Sequence, residues 1–189
     1  MFQQKLPIIL ASKSPRRQEL LKAMGLDFKV VLKDVDESYP ESMSPAEIAV
    51  YIAEKKAAAF TDISADSIVI TADTIVAYGG EILGKPADKT EAIAVLNKLS
   101  GSVHQVYTGV SLSYAGKMHS FYDLTEVVFN TLSADQIEYY VSNHNPYDKA
   151  GSYGIQEWIG LVAVEKIIGS YTNVMGLPTE KLYKALSAL

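Results

Sequence analysis

The sequence predicts a mixed α/β protein with a twisted, partly antiparallel sheet flanked by helices. Apolar segments typical of strands are interspersed with capped amphipathic helices, but they do not follow a strict β-α-β repetition. Two long segments of alternating polarity, 104–117 and 120–130, are joined by a turn near Ala115-Gly116, which indicates an antiparallel hairpin. A chain of 189 residues can bury roughly 70% of its unfolded surface. We therefore expect one domain over residues 1–189.

The first elements are a short buried strand, Ile8-Ile9-Leu10, and a helix that begins at Pro15. Ser14 is a suitable N-cap for this helix, proline suits the first helical position, and Gly25 ends it. A second helix follows in the segment 44–60, where Ser44 and Glu47 form a capping box.

This second helix carries Ile48, Ile52 and Lys56 at intervals of four residues, so Lys56 continues an otherwise apolar line. A buried strand and a hairpin through Gly79-Gly80 are predicted next (67–83), followed by a helix whose capping box is Asp88 and Glu91 and which ends at Gly101. After the long hairpin we predict a helix that begins with Ser133 and Gln136 and runs to Val141. The chain then continues with a loop (143–160), a strand (161–171) and a closing helix with Pro178 at its start.

Composition excludes several classes of protein and site. The chain has no cysteine, which excludes disulfides, thiolate zinc sites and cysteine nucleophiles, and its three histidines lack metal-ligand spacing. A net charge of −5 argues against a protein that coats nucleic acid. There is no long apolar run and no signal-peptide pattern, so we expect a cytoplasmic protein with no membrane partner.

Two adjacent cations, Arg16 and Arg17, stand in the first turn of the first helix. The positive end of a helix dipole makes cations there unfavourable by about 0.3–1 kcal/mol each at an exposed site. Either both arginines extend into water, or an anion binds at this helix start, where free backbone N–H groups, Ser14 and the guanidiniums would form a phosphate site. On the second interpretation, replacing Arg17 should hold or raise the stability of the ligand-free protein.

Asp73 interrupts a strand that is otherwise suited to burial on both faces. A buried carboxylate is unfavourable unless it meets a cation, a metal or several donors. The alternatives are a surface aspartate near a strand end or turn, and a carboxylate held for metal binding or for work as a general base. Asp36 and Glu37 follow a predicted strand, and such adjacent acids usually form a solvated turn.

Lys85 completes the pattern Gly-x-x-x-x-Gly-Lys that begins at Gly79, but Pro86 follows it where a P-loop needs a hydroxyl residue and a helix start. We reject a P-loop and retain Lys85 as a possible phosphate ligand. Gln156 lies in a glycine-bearing loop, and its amide can both donate and accept, as a pyrimidine edge requires. A single glutamine in a loop is by itself only weak evidence for a binding role.

Seven segments in order and spacing resemble the Maf family of nucleoside triphosphate pyrophosphatases: LASKSPRRQELL, AEKKA, TADTIV, LGKP, LNKLSG, DKAGSYGIQ and VMGLP. The resemblance spans about residues 8–186. It implies a Maf/ITPase-like fold with a cleft between two lobes, a divalent metal (Mg²⁺ or Mn²⁺) and a homodimer. One departure is Glu157-Trp158, where many members have glycine after the glutamine.

The resemblance also implies roles for individual residues. It places phosphate binding on Ser14, Arg16, Arg17, Lys56 and Lys85, the general base on Asp73, and metal ligation on Asp73 and Glu37. The residues that distinguish the branches of the family fall on Arg16, Thr74 and Gln156, and Ala-Asp-Thr at 72–74 is similar to the branch that acts on dTTP and UTP. Whether Asp73 is base or metal ligand stays open.

The expected reaction is hydrolysis of dTTP and UTP, and of modified pyrimidine nucleotides as further candidates, to the monophosphate and pyrophosphate. Two other classes remain to be distinguished. A nucleotide-binding regulator of cell division or septum formation would keep the cations without significant turnover. A nucleic-acid-binding module would lose affinity steeply with salt, and the acidic balance disfavours it.

Overall fold

The computed structural model describes residues 4–60, 62–63 and 66–189, so the first three residues of the predicted domain lie outside the described part. The elements in chain order are β1 (Ile8–Leu10), α1 (Pro15–Ala23), β2 (Phe28–Val30), α2 (Pro45–Ala58), β3 (Ile68–Tyr78), β4 (Glu81–Leu83), α3 (Lys89–Leu99), β5 (Val103–Tyr114), β6 (Lys117–Phe129), α4 (Ala134–His144), α5 (Trp158–Val162), β7 (Val164–Ile168), α6 (Tyr171–Val174) and α7 (Thr179–Ser187).

These strands form one seven-stranded mixed sheet in the order β2-β1-β3-β5-β6-β7, with β4 also paired to β3. The strands β2, β1 and β3 run parallel, whereas β3, β5, β6 and β7 pair antiparallel. The predicted mixed, partly antiparallel sheet is confirmed, and so is the long hairpin, whose turn lies at Ala115-Gly116 between β5 and β6.

One face of the sheet carries two separate apolar clusters. Side chains alternate between the faces of a strand, so Ala72, Thr74 and Val76 of β3 share this face. The cluster around Ala72 packs under α1 and α7, and the cluster around Val76 packs under α3, α4 and α5. Thr74 lies between the two clusters, at the floor of the cleft that separates them.

The opposite face is covered by α2. Its fully buried alanines, Ala49, Ala53 and Ala57, bring the helix backbone close to the sheet. The Thr71 hydroxyl donates to the Ala53 carbonyl at 2.7 Å, and a Cβ at Gly109 would lie only 2.3 Å from the Ala49 carbonyl carbon. Gly109 therefore makes room for α2 on β5.

The helix starts agree with their sequence signals. Ser14 accepts from the Arg17 N–H, and complete capping boxes form at Ser44 and Ser133. At α3 the predicted box is wrong in one half. Asp88 accepts from the Glu91 N–H, but the Glu91 carboxylate accepts from the N–H of Ala87, one residue before the N-cap, at 2.7 Å.

The predicted loop over 143–160 and the predicted strand from residue 161 need correction. Helix α4 continues to His144, two 3₁₀ turns follow at Pro146–Asp148 and Ala150–Ser152, and α5 begins at Trp158. The strand begins only at Val164. The sequence did not indicate this start, because the apolar run before it has no periodicity that distinguishes the end of a helix from the start of a strand. The short helix α6 was not predicted.

Among the described residues, no helix combines the length and the apolar character needed to cross a membrane.

Candidate active site

The cleft opens where one edge of β3 has no neighbouring strand. On that edge β1 pairs with residues 68–70 and β4 with residues 76–78, while β5 occupies the other edge throughout. Residues 71–75 are left open, and a cleft of about 410 Å³ reaches both faces of the sheet there. It is lined by every predicted site residue: Ser14, Arg16, Arg17, Glu37, Lys56, Asp73, Thr74, Lys85 and Gln156.

Two carboxylates converge on one ammonium group in this cleft. Lys56 Nζ lies 2.8 Å from Asp73 Oδ1 and 2.9 Å from Glu37 Oε1. The side chains of Lys56 and Asp73 are only 16% and 15% exposed, whereas that of Glu37 is 51% exposed. Asp73 is therefore the sheltered carboxylate that its place in the strand indicated, and it meets a cation.

The charges around Glu37 favour its ionised form. Partial burial alone would raise the pKa of Glu37, but the hydrogen bond and charge of Lys56 and the charges of Lys85 and Arg17 together lower it. Glu37 is thus available as an anionic ligand at neutral pH. The pair of adjacent acids, Asp36 and Glu37, is typical of a solvated turn, but Glu37 instead lines the cleft and pairs with Lys56.

Arg17 is held by the protein. Its Nε donates to the Gly176 carbonyl at 2.8 Å, and Nη1 donates to the Ala72 carbonyl at 2.8 Å and to the Ser12 hydroxyl at 3.3 Å. Nη2 donates to Thr74 Oγ1 at 3.1 Å. A guanidinium has five N–H donors, so one remains for a ligand. Burial lowers the pKa of Arg17 against the opposing charge of Asp73, but an arginine stays protonated.

This arrangement corrects the expectation that Arg17 could be removed without loss of stability. The arginine ties α1 to the open edge of β3 and to the segment after α6, which are contacts that a helix-dipole argument does not include. The Ala72 carbonyl that it caps belongs to the stretch of β3 with no neighbouring strand. Arg17 thus supplies a hydrogen bond to a β3 carbonyl that a neighbouring strand would otherwise supply.

Arg16 and Lys85 are more open to the cleft. Arg16 Nη1 makes a long ion pair of 3.5 Å with the mostly exposed Asp148, and Lys85 is exposed. The N-terminus of α1, with Ser14 and these cations, faces the cleft and is a candidate position for an anion.

Thr74 contacts Arg17 and the core through its hydroxyl. Thr74 Oγ1 also lies 3.0 Å from Thr108 Oγ1, which in turn bonds to the Asn173 carbonyl. This buried polar chain, with Ser12 beneath Arg17, was missed by sequence reasoning, because threonines in strands and a lone Asn in a short helix are common without any such role. Gln156 is exposed and lines the cleft.

The two carboxylates suit a divalent cation that takes its other ligands from substrate and water. In the described ranges, no group of three or more His, Cys, Asp or Glu side chains could hold a metal by itself. Mg²⁺ is commonly bound through one or two carboxylates together with substrate phosphates. Asp73 and Glu37 fit that pattern, with Lys56 between them.

The chain matches the family model described as Maf-like protein over residues 7–189. It belongs to the Maf family. A dTTP/UTP pyrophosphatase of Bacteroides fragilis is 52% identical over 96% of this chain and 95% of that protein. A dTTP/UTP pyrophosphatase of Flavobacterium psychrophilum is 50% identical over 93% of this chain and 91% of that protein.

The Maf fold found here is similar to a HAM1 protein from Coxiella burnetii. That structure has a TM-score of 0.52 at 17% identity, and the match covers 97% of this chain and 100% of that chain. It supports the predicted architecture alone.

The structure also shows where this Maf chain places Glu157, the residue at which many members have glycine. Glu157 is not among the residues that line the cleft, and its carboxylate points toward Tyr140 and Lys149.

Proposed function

We propose that this chain is a metal-dependent pyrophosphatase that hydrolyses dTTP and UTP to the monophosphate and pyrophosphate. The observation that carries the proposal is that the carboxylates of Asp73 and Glu37 converge on one cationic group, the Lys56 ammonium. They lie in the same cleft as the N-terminus of α1, which is a candidate position for an anion. The choice of dTTP and UTP as substrates is supported by the relatives with about 50% sequence identity, which are named dTTP/UTP pyrophosphatases.

Asp73 and Glu37 would hold the divalent metal, Mg²⁺ or Mn²⁺. When bound, the metal supplies Lewis-acid polarisation of the α-phosphate and lowers the pKa of the attacking water. Lys56, released from the two carboxylates, would then pair with the phosphates. Asp73 serves this site either as metal ligand or as the base that accepts the proton of the water.

The remaining cations neutralise the leaving group. Attack at the α-phosphorus expels pyrophosphate, so negative charge grows on the β- and γ-phosphates. Arg16, Lys85 and the remaining N–H of Arg17, together with Ser14 and the backbone N–H groups of α1, would bind these oxygens. Such binding contributes to catalysis where it is stronger in the transition state than in the bound substrate.

The test is a panel of ordinary and modified triphosphates, each incubated with Mg²⁺, with Mn²⁺ and with chelator, followed by identification of the products. We expect pyrophosphate and monophosphate from dTTP and UTP, and no turnover with chelator. Tight dTTP binding without turnover at any metal concentration would favour the nucleotide-binding regulator and contradict the proposal.

Base recognition is assigned to Gln156. Uracil and thymine present O4 as an acceptor and N3–H as a donor, and one amide can satisfy both. Gln156→Ala should lower kcat/KM for dTTP and UTP by roughly 10-fold to 10³-fold, since unpaired buried polar groups cost about 1–3 kcal/mol. Purine triphosphates should change much less. An unchanged ratio of dTTP to GTP turnover would show that Gln156 does not read the base.

We also propose a homodimer and a cytoplasmic location. The dimer is implied by the family, and the exposed apolar side chains of Tyr122 and Leu124 on β6 offer a surface for it. Light scattering after gel filtration should give twice the mass of 20.6 kDa. A monomer at micromolar concentration would contradict the dimer, and recovery of the native protein in a membrane fraction would contradict the location.

A further inference from the structure

Glu157 follows the proposed base-reading residue, yet its carboxylate is directed into the protein. Glu157 Oε2 accepts a short hydrogen bond from the Tyr140 hydroxyl, and Glu157 Oε1 lies 3.1 Å from Lys149 Nζ. The carboxylate packs against Gly154, where an added Cβ would come within 2.8 Å of Glu157 Cδ. Glu157 thus closes the loop that carries Gln156 back onto α4.

Tyr140 is the anchor of this arrangement in the core. Its side chain is fully buried in α4, and its hydroxyl accepts from the Gly154 N–H at 3.0 Å while it donates to Glu157. Burial, together with the hydrogen bond to Glu157, raises the pKa of Tyr140, so the hydroxyl stays protonated and remains a donor. Both ends of the segment 154–157 are therefore fixed to one phenol.

Lys149 extends the cluster toward the other side of the cleft. Its side chain is 8% exposed, and Nζ contacts Asp148 Oδ1 at 2.7 Å as well as Glu157. Asp148 in turn pairs with Arg16. The chain of contacts Tyr140–Glu157–Lys149–Asp148–Arg16 therefore connects the core to Arg16, and Glu157 is the backbone neighbour of Gln156. Both Arg16 and Gln156 are expected to decide nucleotide selectivity.

Gln156 itself has little to hold it. The side chain is exposed at the cleft, and across the described residues no partner fixes it by a hydrogen bond. Its position thus depends on the backbone on each side, which Glu157 and Gly154 tie to Tyr140. A misplacement of about 1 Å at a reacting or recognising group can cost on the order of 100-fold in rate.

We propose that Glu157 is a positioning residue for pyrimidine recognition, because its carboxylate, clamped between Tyr140 and Lys149, fixes the backbone that presents Gln156. This inference rests on the proposed hydrolysis of dTTP and UTP. It also explains why a glutamate at this position leaves the cleft free, since the side chain is used beneath the loop and not in the base pocket.

The test compares Glu157→Ala, Glu157→Gln and Tyr140→Phe with the wild type, with steady-state kinetics on dTTP, UTP and GTP. We expect Glu157→Ala to raise KM for dTTP and UTP by about 10-fold with kcat changed less than about 3-fold, and to leave GTP kinetics unchanged. Tyr140→Phe should shift the selectivity in the same direction. Glu157→Gln keeps an oxygen for the Tyr140 hydroxyl, so it should restore most of the selectivity.

Glu138→Ala is the matched control. It removes an exposed carboxylate of the same helix as Tyr140, paired with Lys89 at the surface, and should leave both selectivity and KM at wild-type values. Inhibition by pyrophosphate reports the phosphate site separately, and it should be unchanged in all variants.

The outcomes separate positioning from a merely structural role. If Glu157→Ala lowers dTTP and GTP turnover by the same factor, or leaves the dTTP to GTP ratio at the wild-type value, the positioning role is wrong. Should Glu157→Ala fail to fold, the same two criteria apply to Tyr140→Phe. A wild-type protein that does not hydrolyse dTTP or UTP would overturn the proposed function itself, which is a different result.

Discussion

At the scale of single residues, Asp73 shows how a costly group is made tolerable and useful. A carboxylate in the middle of a central strand would be unfavourable if it were unpaired, and its partner Lys56 comes from a helix rather than from the sheet. Directly across the ladder from Asp73 lies Gly109, which has no side chain and so leaves the space beside the carboxylate to α2.

Asp73→Asn should leave the fold and nucleotide affinity largely intact while lowering kcat by on the order of 100-fold or more. The amide is nearly isosteric and its oxygen can still accept from Lys56, but the charge needed for base or metal work is gone. Pyrophosphate release from dTTP at saturating metal measures this. A variant that kept more than about a tenth of wild-type kcat would show that Asp73 has no catalytic role.

Arg17→Ala should destabilise the ligand-free protein by about 2–4 kcal/mol, since hydrogen bonds from a charged group contribute roughly 1.5–3 kcal/mol each and their losses are not additive. Arg16→Ala is the comparison, and it should change stability by under about 1 kcal/mol because the ion pair of Arg16 with Asp148 is long and Asp148 is mostly exposed. Urea unfolding of both variants decides between them. Equal stabilities would mean that the Arg17 hydrogen bonds contribute nothing net.

At the scale of elements, α2 places Lys56 beside Asp73 through backbone contact with the sheet. The helix lies on β3 and β5 through its buried alanines and through Gly109, and Lys56 stands one residue before Ala57 on that contact line. The position of the Lys56 ammonium therefore depends on how closely the helix can approach the sheet.

Gly109→Ala should push α2 outward, because the new methyl group would lie 2.3 Å from backbone atoms of Ala49 that have no freedom to rotate away. Overpacking of this kind typically costs about 1–3 kcal/mol, and we expect kcat to fall at least about 10-fold as Lys56 moves from Asp73. Thermal unfolding and kinetics test both effects. Gly84→Ala, where nothing lies within 4 Å of the new Cβ, is the stability control.

Most elements were predictable because their signals are local. Ser44 and Glu47 cap α2, and Gly79-Gly80 turn the hairpin, without help from distant residues. The segment from Pro146 to Val162 was not predictable, since its turns depend on Lys149, Glu157 and Tyr140 meeting in space. The residues of the cleft were found through motif order, but the hydrogen bonds that fix Arg17 come from β3 and the segment after α6, which no local pattern connects to it.

At the scale of the whole molecule, a buried histidine that packs against the larger apolar cluster must remain neutral. His104 is 1% exposed, packs edge-on against Phe129 and Tyr153, and contacts the Tyr153 hydroxyl at 2.7 Å through Nε2. Burial lowers the pKa of His104 to about 4. Its ring can therefore be counted as part of the core only in its uncharged form.

Acid should destabilise the protein through this residue. Between pH 6.5 and 4 the unfolded chain binds a proton at His104 that the folded chain does not, so the free energy of unfolding falls as the pH falls through that range. The loss approaches about 3 kcal/mol at the lower end.

The measurement is urea unfolding at several pH values for the wild type, His104→Gln and His119→Gln. His104→Gln cannot titrate and can still contact Tyr153, so its slope with pH should be shallower than that of the wild type. His119 is exposed, and its variant should follow the wild type. Identical slopes for all three proteins would place the acid sensitivity elsewhere.

The open stretch of β3 also bears on aggregation. A bare strand edge can recruit another chain, and proteins avoid this by keeping such edges short, covered or blocked. Here the opening is confined to residues 71–75, and β1 and β4 close it on both sides, so an intruding strand could not extend its pairing in either direction. The protein can therefore keep backbone groups accessible to a small ligand in its central sheet while denying them to a second polypeptide.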